Sequence, residues 1–252
     1  MIDLKDTTFI IPVMIEHQDR RNNLKTVVDY LTSNFDTNII INEQDTDEVT
    51  GVLEGYDYHY MKSSRSDGLI HRTKQLNDMT KEAKTPIVVN YDADVVLPIQ
   101  SYVDSANAIR NKQADFVFPY NGKFMDVPKA LHPEILKTKS ITHIKSNQCH
   151  CNHPMSVGGA LFFNKEQYRS IGYENEHFLS WGYEDDERVQ RMKKFGKRIV
   201  RTKLDLFHLN HQRGNNSNVK NPMYARNGQV LSRIRAMTAP QLRQEISKWN
   251  WV

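Results

Sequence analysis

Thr85-Pro-Ile-Val-Val-Asn-Tyr-Asp-Ala-Asp94 sets an apolar, strand-like run directly ahead of two carboxylates separated by one residue. A short apolar run of this kind reads as a buried strand, so Asp92 and Asp94 fall just past its carboxyl end. Working back toward the N-terminus, residues 66–84 read as a helix with Leu69, Ile70, Thr73, Leu76 and Met79 on its inner face. Residues 56–61 read as a strand, as does Asn38-Ile-Ile-Ile-Asn42, with Glu43-Gln-Asp45 at its carboxyl end. Residues 19–33 form a further helix with Leu24, Val27, Val28 and Leu31 on one face, and Thr7-Thr-Phe-Ile-Ile-Pro-Val13 is the first strand. Strands alternating with helices imply an α/β fold, a mostly parallel central sheet with helices on both faces. Such sheets bind ligands beyond the carboxyl ends of their strands. Asp92 and Asp94 lie where that rule puts a site.

Downstream, residues 99–112 read as a helix and Asp115-Phe-Val-Phe-Pro119 as a strand. Residues 120–155 have no clear period and hold four histidines and both cysteines, so they read as a long loop region or a small insertion. Order returns with a strand through Gly158-Gly-Ala-Leu-Phe-Phe163, a short helix, a helix from about Tyr183, and a strand near 197–201. After a polar stretch from Arg213 to Asn221, two helices are expected to begin near Pro222 and Ala239. With 252 residues, 38% of them hydrophobic and 25% charged, a packed single domain is expected over 1–252. Its parts would be 1–118, 119–221 and the C-terminal helices 222–252.

A formal net charge of +4 fits a protein that handles anionic ligands without requiring a nucleic-acid partner, and no stable one is expected. No apolar run is long enough to span a bilayer and the N-terminus carries no signal-peptide core, which points to a cytoplasmic protein and leaves peripheral membrane contact open. Cys149 and Cys151 are too close together to staple a domain, in keeping with a reducing compartment. Asn215-Asn-Ser217 matches a glycosylation sequon and is read as chance.

Asp92 and Asp94 can point the same way where the chain turns after its strand, and there they could share a nucleotide diphosphate and its metal, magnesium or manganese. A bare Asp-x-Asp is otherwise common in solvated turns. The block Trp181-Gly-Tyr-Glu-Asp-Asp-Glu187 opens a probable helix. Acids there complement the helix dipole, but four in a row exceed what capping needs. Their mutual repulsion should raise the proton affinity of at least one, which suits a general base acting on a hydroxyl. Trp181 and Tyr183 add apolar rings suited to a sugar face. Phe207-His-Leu-Asn-His211 holds two imidazoles three residues apart, facing opposite ways on a straight strand but able to converge on one ion across a turn. Cys149-His-Cys-Asn-His153 also looks like a metal cluster, although its spacing matches no common zinc module.

These pieces, in this order, resemble the β-1,4-galactosyltransferases and related bacterial and viral glycosyltransferases of the GT-A fold. The match is strongest through Gly158–Gly172 and on to Trp181–Glu187. A second match is Ile70-His-Arg-Thr-Lys-Gln-Leu-Asn77, ahead of Asp92-Ala-Asp94 in the place of the family's Asp-x-Asp. The resemblance covers roughly residues 5–215, only loosely from 120 to 155. It implies a metal-dependent, inverting transfer of a hexose from a UDP-sugar donor to a hydroxyl of an oligosaccharide or polysaccharide acceptor. The hexose would be galactose or N-acetylgalactosamine, with glucose next, and the setting bacterial or viral. Asp94, His208 and His211 would hold Mn2+ or Mg2+, His208 standing where the galactosyltransferases have methionine. Asp92 and Arg72 would contact the nucleotide. Pro12 and Val13 would line the uridine pocket with Glu16 and Arg20 nearby, and Gly159 would let the donor sugar approach. Asp185 would be the catalytic base, with Trp181, Tyr183, Glu184 and Asp186 around the acceptor. Tyr183 replaces the family's second glycine in Trp-Gly-Gly-Glu-Asp.

Two other readings compete. A sugar-1-phosphate nucleotidyltransferase shares the layout and metal carboxylates, but its glycine-rich phosphate loop is missing from Met14-Ile-Glu-His-Gln18. A zinc-stabilised nucleic-acid-binding module would be built on Cys149–His153 and the basic C-terminal helices.

Overall fold

The apolar run that opens the chain extends further than its hydrophobic core suggests: β1 spans Ile2–Val13, and Phe9 through Val13 are buried. The computed structural model describes residues 1–252 except Ser66, Arg213, Asn215, Ser217 and Asn218, so the Asn215 and Ser217 positions of the sequon lie outside the described residues. Helix α1 (Gln18–Asn34) buries the expected face, Leu24, Val27, Val28 and Leu31, against the sheet. Then follow β2 (Phe35–Gln44), α2 (Val49–Val52), β3 (His59–Ser63), α3 (Arg72–Glu82), β4 (Ile87–Tyr91), β5 (Val95–Val96), α4 (Ile99–Arg110) and β6 (Phe116–Phe118). The second half contributes β7 (Phe124–Val127), α5 (His132–Thr138), β8 (His150–His153), β9 (Ala160–Asn164), α6 (Lys165–Arg169), α7 (Glu184–Lys194), β10 (Ile199–Arg201) and β11 (Leu206–Leu209). Helices α8 (Met223–Ala236) and α9 (Ala239–Ile246) end the chain.

The central sheet has seven strands in the order β10-β6-β9-β4-β1-β2-β3. All neighbours pair in parallel except β9, which runs antiparallel between β4 and β6. This is the expected mostly parallel sheet, with one strand of the second half inserted among those of the first. An aromatic cluster fills its centre: Phe9 packs edge-on against Tyr91 and Phe162, and Tyr102 lies among them. The buried Tyr91 hydroxyl donates to the Val95 carbonyl at 2.9 Å, and the Tyr102 hydroxyl, 2.5 Å from it, accepts from the Leu97 N–H. These bonds close the turn carrying Asp92 and Asp94 onto the core, so the turn is held by aromatic packing as well as by its own backbone.

Two regions depart from the periodic reading. Helix α3 begins at Arg72 rather than near 66. The His71 N–H is taken by the Gln44 side chain at 2.7 Å, Asp67 is held by Arg65, and Gly68 sits at φ +68, so tertiary partners satisfy this segment in place of helical ones. Of the two readings for residues 120–155, the small insertion is the one observed. Strands β7 and β8 join β5 and β11 in a second, four-stranded sheet in the order β5-β11-β7-β8. Among the described residues, no helix is long and apolar enough to cross a membrane.

Candidate active site

The carboxyl ends of β1 and β4, the start of α3 and the first turn of α7 meet beside the second sheet. Asp92 and Asp94 follow β4. The Asp92 N–H donates to the Gly159 carbonyl at 2.9 Å and the Asp94 carbonyl accepts from the Leu209 N–H at 2.8 Å, tying the turn to β9 and β11. Arg72, the first residue of α3, lies 2.5 Å from an Asp92 oxygen. Burial pushes the Asp92 carboxyl up, Arg72 pulls it down, and the nearby Asp94 and Asp185 carboxylates push it up again, leaving it raised on balance. The same Arg72 feels the charges of Asp185 and Glu184, so motifs about ninety residues apart in sequence form one electrostatic cluster.

His208 lies on β11 and His211 two residues past its end, where the strand has stopped. Past the end of the strand the chain brings both imidazoles to Asp94, with His211 Nε2 at 3.0 Å and His208 Nε2 at 3.8 Å from its carboxylate. One ligand atom from each of Asp94, His208 and His211 lies within 4.8 Å of the others, spacing that suits a single cation. The outer nitrogens are both engaged: His208 Nδ1 is 2.7 Å from Asp126 Oδ1, and His211 Nδ1 is 2.8 Å from the Gln212 carbonyl. An Nδ1–H donating outward leaves Nε2 as the inward-facing ligand atom in each ring. A carboxylate with two imidazoles fits manganese better than magnesium, which prefers oxygen alone. Burial opposes ionisation of Asp94, but the His211 hydrogen bond and the charges of His208, His211 and Arg20 outweigh it and hold the carboxyl well below its usual range.

Helix α7 opens at Glu184, and its first turn sorts the four acids into different roles. Asp185 pairs with Arg188, which is itself buried against Glu174, and Glu174 also accepts from Asn90 at 3.0 Å. The other Asp185 oxygen lies over Gly158, where a Cβ would stand only 2.5 Å from it. Gly158 is therefore required for the placement of Asp185. Glu187 forms a buried pair with Arg191 and belongs to the core. Asp186 is exposed. Glu184 is buried and accepts from the Gly182 N–H at 2.9 Å. Burial first, and the Asp185 charge second, push its carboxyl up to about 7. Burial also raises the Glu187 carboxyl, although its pairing with Arg191 opposes the shift, so two acids of the block have raised proton affinity, and in both burial contributes more than repulsion does.

The Glu184 shift has a measurable sign. A carboxyl raised from 4.5 to about 7 on folding contributes stability that is full below pH about 4.5 and lost as pH rises to about 7. In the presence of a chelator, Glu184→Gln is expected to flatten this falling component of the melting temperature across that window. A variant whose melting profile parallels the wild type throughout would refute the assignment.

The remaining expected residues fall around this centre. Pro12 and Val13 end β1, paired with Asn42 and Glu43, and the Val13 carbonyl faces the Gln75 amide of α3 at 3.4 Å. Arg20, on the first turn of α1, reaches within 4.0 Å of Asp94, and Glu16 lies against Gly214. Gly159 has φ +83, and a Cβ there would meet Phe124 at 2.9 Å and Leu206 at 3.0 Å, so its lack of a side chain serves the packing of the second sheet. Tyr183 caps α7 at φ 72, a left-handed backbone that suits glycine and costs a tyrosine about 1 kcal/mol. Its ring packs 4.7 Å from Tyr224 of α8, and Trp181 stacks on the same Tyr224 at 5.5 Å.

Three contributors escaped the sequence reading. Asp126 lies in the stretch without period. Tyr224 lies beyond the polar segment, although its aromatic ring two residues after Pro222 was a usable signal. Arg188 sits one turn after the acids at the spacing of a helical ion pair. Among the described residues, Asp94, His208 and His211 form the cluster of histidine, cysteine and acid side chains close enough to hold an ion. Cys149 and Cys151 are free, and the β8 residues His150–His153 alternate along an exposed strand, so the zinc-module reading gains nothing from the structure.

The fold is that of the GT-A glycosyltransferases, and part of the chain is similar in sequence to galactosyltransferases. A sequence family described as the N-terminal domain of galactosyltransferase matches residues 139–213. Human beta-1,4-galactosyltransferase 7 is 32% identical over 91 residues, covering 36% of this chain and 23% of that protein, and the mouse protein is 31% identical over the same span. The chain thus matches about a quarter of the length of these relatives. In three dimensions it resembles S. aureus TarS 1–349 in complex with UDP-GlcNAc, with a TM-score of 0.62 at 13% identity over 97% of this chain and 71% of that one. It also resembles glucosyl-3-phosphoglycerate synthase from Mycobacterium tuberculosis in complex with Mn2+, UDP and phosphoglyceric acid, with a TM-score of 0.53 at 13% identity over 83% of this chain and 72% of that one.

Proposed function

We propose that this chain is a glycosyltransferase moving a hexose, galactose or N-acetylgalactosamine before glucose, from a UDP-sugar to a hydroxyl of an oligosaccharide or polysaccharide, with inversion. The observation that carries the reading is the convergence of Asp94, His208 and His211 with the Arg72–Asp92 pair and the Asp185–Glu184 turn on one edge of the sheet. A divalent ion, manganese in preference to magnesium, would be held by Asp94, His208 and His211 and would neutralise the diphosphate as the bond to the sugar breaks. Arg72 and Asp92 serve the nucleotide, with Pro12 and Val13 at the end of β1, Glu16 just beyond it and Arg20 on the first turn of α1 around the base and ribose. Asp185 accepts the proton of the attacking hydroxyl. Glu184 and Asp186 flank the acceptor, and Trp181, Tyr183 and Tyr224 offer it ring faces. Gly159 stays on the donor side, where its backbone carbonyl already fixes Asp92. The relatives' names support a galactosyl donor, and the UDP and Mn2+ of the solved neighbours agree with the donor class and the ion. A cytosolic setting, in a bacterium or a virus-infected host, accords with the two free cysteines.

The test is titration calorimetry with UDP, with and without Mn2+, on the wild type and an Asp94→Ala variant. Wild-type binding is expected to depend on Mn2+ and to weaken by at least about a hundredfold in the variant. Wild-type protein that binds no UDP under either condition would overturn the reading.

A further inference from the structure

The second sheet brings residues 120–155 to the site, and a single register position joins the two. Strands β7 and β11 pair in parallel with Asp126 directly opposite His208. On neighbouring parallel strands, opposite residues project to the same face, and here the Asp126 carboxylate stands 2.7 Å from His208 Nδ1. The ring is also held on its flank: Phe124, two residues earlier on β7, packs 5.0 Å from the imidazole. Phe124 can take that place because Gly159 has no side chain to meet it. The far edge of the same ring is the Nε2 that faces Asp94.

We propose that Asp126 is a positioning residue for the cation site. It fixes the His208 ring and its Nδ1–H tautomer so that Nε2 is presented as a ligand, and it acts on the ion only through that imidazole. The proposal rests on the reading of Asp94, His208 and His211 as a cation site. It gives the insertion a definite task, since β7 exists in register with β11 where a carboxylate must stand behind a ligating histidine. A carboxylate accepting from the outer nitrogen makes the imidazole a stronger donor and removes the freedom of the ring to flip, and loss of such a partner typically weakens metal binding about 10–100-fold.

The experiment titrates Mn2+ alone into wild type, Asp126→Ala, Asp126→Asn and His208→Ala by calorimetry, and reads imidazole nitrogen coupling to bound Mn2+ by pulsed electron paramagnetic resonance. Asp126→Ala is expected to bind Mn2+ about 10–100-fold more weakly and to show the single-imidazole signature of His208→Ala. Asp126→Asn keeps an oxygen that can accept from Nδ1–H and is expected to fall between the two. It carries the test if the alanine variant does not fold, with at least about threefold weakening expected. A general loosening of the sheet would lower the melting temperature without moving the nitrogen coupling. Wild-type affinity and two-imidazole coupling in a folded Asp126 variant would overturn the positioning role while leaving the cation site intact. A wild-type protein that binds no Mn2+ would instead overturn the cation site and this role with it.

Discussion

Asp185→Asn is expected to lower hexose transfer by about 10²–10⁴-fold, the range typical for loss of a general base, while leaving Mn2+-dependent UDP binding unchanged. The substitution is suited to the site. An asparagine oxygen can still accept from Arg188, whose guanidinium holds one oxygen of Asp185, and the side chain keeps its volume over Gly158. What it loses is the ability to take a proton. Steady-state turnover measured alongside calorimetry separates the two effects. Turnover at the wild-type rate would remove Asp185 from its role and direct attention to its buried neighbour Glu184, whose carboxyl is already pushed up to about 7 by burial and by Asp185.

The largest loss of stability is expected from Arg188→Met. Arg188 is buried together with Glu174, which also accepts from the Tyr168 hydroxyl at 2.5 Å and the Asn90 amide at 3.0 Å. Removing the cation leaves Glu174 in the core without its paired guanidinium and with only the field of Arg191 to offset its charge. Breaking a buried pair from one side typically costs about 3–5 kcal/mol. Chemical denaturation should show a lowered midpoint, and adding Glu174→Gln should recover part of the loss because the remaining donors can serve a neutral amide. A single variant as stable as the wild type would show that water or a rearranged partner already neutralises Glu174. The pair also bears on the site, because Arg188 grips Asp185 with its other nitrogen.

Much of this organisation was legible from local pattern. The apolar run before Asp92, the helical spacing of Leu24, Val27, Val28 and Leu31, and the Gly158–Phe163 strand each predict an element that the structure contains. The convergence of His208 and His211 depended on a turn, and the chain does leave its strand at Leu209. What the sequence hid depends on distant partners. Asp126 is 82 residues from His208, and only strand register makes them neighbours. Residues 67–71 resemble helix by period, yet Gln44 and Asn216 occupy their backbone donors. The four acids of α7 look alike in sequence, and burial alone separates the core member Glu187 from the exposed Asp186.

Tyr183 carries one more consequence. A residue held at positive φ by ring packing on Tyr224 has few other torsions open to it, and the adjoining loop is pinned from the same helix, where the buried Asn227 donates to the Leu179 carbonyl at 2.8 Å. Glycine at this position would widen the torsional freedom of the loop. With tyrosine the ordering is completed during folding, so under the proposed function an acceptor would meet a surface already shaped, and little of its binding energy would go to stilling the protein.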